Sequence, residues 1–326
     1  PRGLLEFRML QGTAVQEKSM QNLPPGLTSL AFPRHVALGS EWQWLPPSLT
    51  KYQHSGLAII SDAPKHELMA KAQSENTIRF IAHVLEIPRS LTYLTMTLSE
   101  YANTTQTIAL LPPGLTYLQL KLYGALTSEA IHSLPRSITS LVVRSRDCWQ
   151  EIMAEAWPPR LTELTISHKA TDPAKANPLN LPRTLQSLWL GEHVVLDDAF
   201  LDALPTGLQK MSLANATSLK TPEKVVRLPR NVTSLALFNL PPSFSDLCIA
   251  HLPNGLTALL LNGPISISDA CAQNLPRTLT DLTIDSSTTL LTHVGLAALP
   301  PSLLYLGLWY TAFSLSVASA LPPTPV

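Results

Sequence analysis

The chain has 326 residues with 23 basic and 23 acidic side chains, so its formal net charge is zero, and its pI is about 7.5. That balance argues against the basic stripe of a nucleic-acid footprint, and no nucleic acid is expected as a partner. No apolar run reaches the roughly 18–20 residues a helical bilayer span requires, so no membrane span is expected.

From the first residue onward one short phrase recurs: a proline, two variable residues, then leucines spaced L-x-x-L-x-L. Its proline stands at Pro1, Pro24, Pro46, Pro88, Pro112, Pro135, Pro158, Pro182, Pro205, Pro229, Pro253, Pro276 and Pro300, and a truncated copy, LPPTPV, follows at Pro322. Successive prolines are 22–24 residues apart, except for one gap of 42 between Pro46 and Pro88. Self-similarity at such a period is the mark of a solenoid, whose units cannot bury their own apolar faces and must stack. The first copy is already under way at Pro1, Leu4 and Phe7, and the last is cut at Val326. The chain is therefore expected to be part of something longer, or of a larger assembly.

Within a repeat, the residues after the proline read as a strand. Leu115, Leu118 and Leu120 alternate with Tyr117, Gln119 and Lys121, one face for the core and one for solvent. Upstream of each proline lies a short segment of helical pattern, such as Ser128–Leu134, Asp197–Leu204 or Ser268–Leu275, opening on Asp or Ser as N-cap. Thr221-Pro222-Glu223 adds proline at the first helical position. The following proline lacks an N–H and stops the helix, and Pro-Gly at 25–26 and 113–114 suits a tight turn. Each unit thus reads helix, turn, strand.

The gap between Pro46 and Pro88 predicts a helical insertion or a degenerate repeat at residues 56–87, with helices over Pro64–Gln73 and Glu75–Glu86. A second irregular stretch, His168–Asn180, has no helical period and is expected to replace a helix with extended chain.

The phrase, its period and its dozen copies in register resemble the leucine-rich-repeat superfamily over nearly the full length. The resemblance implies an α/β leucine-rich-repeat solenoid, a single array over 1–326 of about 14 repeats. A parallel sheet would line the concave face and short helices the convex one, because strands pack at about 4.8 Å and helices at roughly 8–10 Å. The L-P-x-x-L phrase is also similar to repeats of bacterial effectors, and the helical halves to repeats of the F-box-associated kind; neither likeness carries a function across. One departure is plain. The asparagine usual after L-x-x-L-x-L is mostly missing, with Asn215, Asn239 and Asn262 near that place but out of its register. A threonine follows the first strand leucine instead, at Thr28, Thr50, Thr92, Thr116, Thr139, Thr162, Thr233, Thr257 and Thr280. It reads as a column of cross-strand hydrogen bonds.

Catalytic chemistry is not legible. No Cys-x-x-Cys or His-x-x-x-His pair, phosphate loop or nucleophile elbow is present, so no metal, cofactor or enzymatic role is expected. Cys148, Cys248 and Cys271 are scattered and odd in number, which favours core thiols and leans the compartment toward the cytoplasm. Three sequons, at Asn103, Asn215 and Asn231, are about what chance supplies.

What remains is the outward face of the strands. Its third, fifth and seventh positions carry Tyr93, Tyr117, Lys121, Arg144, Glu163, Trp189, Phe238, Tyr305 and Trp309, together with Gln119, Lys210, Asp281 and Asp285. Aromatic and arginine side chains dominate interface energetics, so a protein-binding face is expected there, with possible help from 56–87. Lys121 and Arg144 make it basic in the middle, and Asp281 and Asp285 acidic further on. The expected role is non-catalytic protein–protein recognition. The alternatives are the substrate-reading adaptor of a ubiquitin ligase, the ligand-binding part of a larger receptor, kinase or effector, or a structural subunit of a large assembly.

Overall fold

A computed structural model describes residues 4–8, 22–32, 45–54, 87–98, 104–123, 126–145, 157–168, 180–192, 194, 196–286 and 291–309. The recurring phrase acquires its meaning in the turn. In nearly every described copy the proline carbonyl accepts a hydrogen bond from the amide of the leucine three residues on, as in Leu27 to Pro24 at 3.1 Å and Leu115 to Pro112 at 3.2 Å. The proline spacing is thus that of a β-turn whose first residue is the proline. Glycine is not what makes this turn. Gly26 and Gly114 have no positive φ, and a side chain at either would meet nothing within 4 Å.

After the turn the chain extends. The chain divides into two compact units, Pro1–Pro182 and Arg183–Val326. The first contains β1 (Glu6–Arg8), β2 (Ser29–Phe32), β3 (Lys51–His54), β4 (Tyr93–Leu98), β5 (Tyr117–Leu122), β6 (Ser140–Ser145) and β7 (Glu163–His168). Each pairs in parallel with the next in chain order. Its described helices are α1 (Thr104–Ala109) and α2 (Ser128–His132). Since β3 pairs directly with β4, Lys51 opposite Tyr93, no strand stands between them. The helices expected at 64–73 and 75–86 lie outside the described residues, as does most of His168–Asn180.

The second unit repeats the plan with β8 (Ser187–Leu190), β9 (Lys210–Leu213), β10 (Ser234–Leu237), β11 (Ala258–Asn262), β12 (Asp281–Asp285) and β13 (Tyr305–Trp309), again parallel in chain order. Its helices are α3 (Asp198–Asp202), α4 (Pro222–Val225), α5 (Asp246–Ile249), α6 (Ala270–Asn274) and α7 (His293–Ala297). They are barely one turn long. Such helices would not form alone in water, where fewer than roughly 12 residues are marginal; they form because each presents buried residues to the stack, Ile131 on α2, Leu201 on α3, Ile249 on α5 and Leu296 on α7.

The core is a set of leucine columns. Leu115, Leu118, Leu120 and Leu122 are at most 2% exposed, and the pattern repeats at Leu256, Leu259 and Leu261 and at Leu279, Leu282 and Ile284. Trp157 replaces the leucine that precedes the turn, and Phe244 takes the place of the leucine that closes one, its amide donating to Pro241 O; both are buried. The Trp157 indole Nε1 donates to the Asn180 carbonyl at 2.8 Å. Cys248 and Cys271 are buried free thiols, as expected. Burial, helped by the charges of Asp246 and Asp269, pushes the Cys271 thiol up to about 12.

Three polar columns tie one repeat to its neighbour. The threonine column does what its spacing implied: in most described repeats the threonine carbonyl accepts two amides and a hydroxyl from the next repeat, so Thr116 O receives Thr139 N at 2.9 Å, Ser140 N at 3.1 Å and Thr139 Oγ1 at 3.2 Å. A second column stands one residue before the first leucine, where Ser48, Ser90, Ser137, Thr278 and Ser302 each reach two carbonyls of the preceding repeat. In the third, the arginine that follows the proline of the phrase points forward: Arg89 donates to Leu110 O, Arg230 to His251 O and Arg277 to Ala298 O, carbonyls at the C-terminal ends of the next helices.

Helix starts are more varied than Asp or Ser as cap. Asp197 accepts from Phe200 N at 2.7 Å. Elsewhere the cap is Thr127, with Ser128 inside the helix, and Thr292 caps α7. Asp269 stands at the cap of α6 but spends its carboxylate on the next repeat, accepting from Thr292 N and Thr292 Oγ1, both at 2.6 Å.

Candidate functional site

Alternation puts leucines toward the helices and leaves positions three, five and seven on the opposite, open face. In the first unit, strand register aligns Lys51, Tyr93, Tyr117, Ser140 and Glu163 in one column across β3 to β7. Tyr93 and Tyr117 stack face to face, their ring centroids 4.1 Å apart and the planes 1° from parallel. The Lys51 ammonium lies 4.9 Å from the centre of the Tyr93 ring. Lys51 was not singled out by sequence reasoning, yet the signal was there, because it occupies the same third position of the phrase as both tyrosines.

Tyr117 is half-buried and its hydroxyl lies 3.3 Å from Gln119 Oε1. Burial raises its pKa, with the neighbouring Tyr93 hydroxyl and the Glu163 charge adding to the effect, against the opposing pull of Arg144. Beside this stack Lys121 and Arg144 sit opposite each other on β5 and β6, both exposed. The Lys121 ammonium is 5.8 Å from the centre of the Tyr123 ring. Glu163 is exposed on β7. The face is not uniformly open, since Thr95 and Thr97 on β4 are only 7% and 5% exposed.

In the second unit the predicted residues are spread out. Trp189 stands on β8, 36% exposed, opposite Ser212 of β9. Phe238 falls one residue past β10 and is half-buried; its amide donates to Leu213 O and its carbonyl accepts from Ala216 N, so it serves the strand exit. Asparagines continue the stitching there. Asn239, at φ 55°, donates to Ala214 O at 2.8 Å, and Asn262 Nδ2 to Asp285 Oδ2 at 2.7 Å. Each ties its repeat to a neighbouring one.

Tyr305 and Trp309 share β13 and, among the described residues, are the most exposed aromatics on this face, at 52% and 57%. Asp281 lies opposite Tyr305 and Asp285 opposite Trp309. Between the two aromatics is Gly307, where an added Cβ would come within 3.1 Å of the Tyr305 hydroxyl and 3.2 Å of its ring carbon Cε1. The missing side chain lets the tyrosine ring lie across the strand. Gly307 was missed in the sequence because a glycine inside a strand pattern has no signature of its own.

Among the described residues no cluster of three His, Cys, Asp or Glu side chains could hold a metal ion, and no helix is long and apolar enough to cross a membrane. No protein-family model and no curated relative matches the sequence. Solved structures do. The TLR13–ssRNA13 complex aligns at 15% identity over 91% of this chain and 42% of that one, TM-score 0.50. CroV588, a circular leucine-rich-repeat protein, aligns at 20% over 88% and 44%, TM-score 0.48. LegL7 from Legionella pneumophila, also a leucine-rich-repeat protein, aligns at 16% over 97% and 96%, TM-score 0.43. The chain thus spans less than half the length of the first two. Parallel strands paired in chain order with their leucines inward, entered through proline turns and joined in many described repeats by a one-turn helix, give this chain a leucine-rich-repeat solenoid fold.

Proposed function

We propose that the chain is a non-catalytic recognition scaffold that binds a protein partner on the open face of its strands, the face the sequence predicts to be concave. One observation carries the reading. The large aromatics exposed among the described residues, Trp189, Tyr305 and Trp309, all lie on that face, whereas the exposed Val226, Leu247 and Val294 on the helix side are aliphatic. Aromatic side chains on a rigid sheet supply contact area at little entropic cost, and burying them is what makes an interface hot spot. In the first unit, taken by itself, the same strand positions carry Tyr93, Tyr117, Lys121, Arg144 and Glu163, and in the second Phe238 contributes its exposed edge.

The test is a comparative capture from cell extract with quantitative mass spectrometry. Proteins retained by the wild type should be lost with Trp189→Ala/Tyr305→Ala/Trp309→Ala, and kept with Val226→Ser/Leu247→Ser/Val294→Ser, both variants being checked for folding by circular dichroism. The opposite pattern would move the interface to the helix side. The same samples report on the rival reading of an adaptor or receptor fragment through the class of protein recovered.

A further inference from the structure

We infer that the β12–β13 end of the open face is a docking surface for a basic peptide segment, one presenting arginine or lysine side chains. The inference rests on the recognition reading above and adds the chemistry of the partner.

Four side chains mark the corners of a two-strand rectangle: Asp281 and Asp285 on β12, Tyr305 and Trp309 on β13, paired Asp281 to Tyr305 and Asp285 to Trp309. At about 3.3 Å per residue the two acidic corners are roughly 13 Å apart, the span of a few extended residues. The Tyr305 ring covers Gly307 yet remains half exposed, so one side packs on the strand and the other is turned to solvent. Trp309 is more exposed still. An aromatic face is the negative pole of the ring quadrupole and attracts a guanidinium or ammonium group.

The carboxylates point to the same occupant. Asp281 accepts from Thr280 Oγ1 and Asp285 from Asn262 Nδ2, both at 2.7 Å, so each side chain is steadied by a neutral donor. Among the described residues no lysine or arginine forms an ion pair with either, while the carboxylates of Asp198 and Asp202 on α3 are taken up by Lys224 and Arg227. Two oriented, unneutralised carboxylates beside two exposed rings complement a cationic chain, and would repel an acidic one. The bidentate fork of arginine fits both elements, resting on a ring while its N–H groups reach a carboxylate.

The experiment uses fluorescence anisotropy with two labelled probes, (Gly-Arg)4-Gly and (Gly-Glu)4-Gly, and the full 326-residue chain. The arginine peptide should bind, more weakly as salt rises, and the glutamate peptide at least about tenfold less tightly. Asp281→Asn/Asp285→Asn and Tyr305→Ala/Trp309→Ala should each weaken arginine-peptide binding about tenfold or more. The equal charge change Glu192→Gln/Glu223→Gln, on exposed residues of the same unit, should leave it unchanged. Asn is close in size to Asp, which keeps the acidic test independent of folding. Arginine-peptide binding by the Asp281/Asp285 variant equal to wild type, equal binding of both probes, or no binding to wild type at millimolar protein would overturn the inference. Run through the capture assay, the same variants separate the two proposals. Partners lost with Trp309→Ala but retained by Asp281→Asn/Asp285→Asn leave the recognition face standing and remove its basic ligand; partners indifferent to both remove the face as well.

Discussion

Gly114 occupies the position that Ser48, Ser90, Ser137, Thr278 and Ser302 fill in other repeats, one residue before the first strand leucine. There the hydroxyl bonds two carbonyls of the preceding repeat, as Ser137 does to Pro113 O and Leu115 O at 2.6 Å. Gly114 has an ordinary backbone conformation and free space around its missing Cβ. Gly114→Ser should therefore stabilise the fold by about 1 kcal/mol, from one added hydrogen bond and a less flexible unfolded chain. A raised urea midpoint at unchanged slope would show it. Gly295 is the contrary case. Its Cβ would fall against the Asp269 carboxylate, and a space of that kind is occupied by the neighbouring repeat. In the sequence the two glycines look alike, one in a turn and one in a helix, and only the neighbour's atoms tell them apart.

Asp269 shows what an element owes to the next one. Desolvation works against its charge, but hydrogen bonds from Thr292 side chain and backbone outweigh that and hold its pKa below the usual carboxylate value. A depressed folded pKa means that the contribution is present above the unfolded-state pKa and is lost as the pH falls through the folded one. Asp269→Ala should cost about 1–2 kcal/mol at neutral pH, the range for hydrogen bonds to a charged group in a partly open setting. The difference from wild type should shrink as the pH drops below about 3.8, the ordinary aspartate value; urea unfolding at pH 7 and pH 3 checks both size and sign. A cost equal at the two pH values would assign Asp269 a packing role. Little of this was legible beforehand. Asp at a helix start reads as a cap for its own helix, whereas this carboxylate is taken up by Thr292, the cap of the following helix. The threonine column, by contrast, was legible, because a residue type repeated at one register position has its own copies as neighbours above and below.

Across a whole unit the leucine columns act together. Leu118 is fully buried between equivalent leucines of β4 and β6, Leu94 and Leu141. Leu118→Ala should cost 2–5 kcal/mol, the usual range for such a truncation. Its neighbour Tyr117, on the other face, should cost markedly less when replaced by Ala, since its ring is only half covered. Chemical unfolding of the two variants measures the contrast, and equal losses would mean that the open face is as much core as the leucine face.

The period of 22–24 residues, the alternation of leucine with polar side chains and the proline that begins each turn were enough to settle the fold class, the direction in which each strand faces and the threonine column. These are local rules applied many times over, and stacking identical units turns each rule into a column. Which open-face residues work together was decided by tertiary structure alone. Register laid Lys51, Tyr93 and Tyr117 one above another, and set Asp281 and Asp285 beside Tyr305 and Trp309, because residues 24 or 42 positions apart become neighbours only when strands align. The same alignment leaves Phe238 at a strand exit and Trp189 by itself on β8, although all of them look equivalent in the phrase.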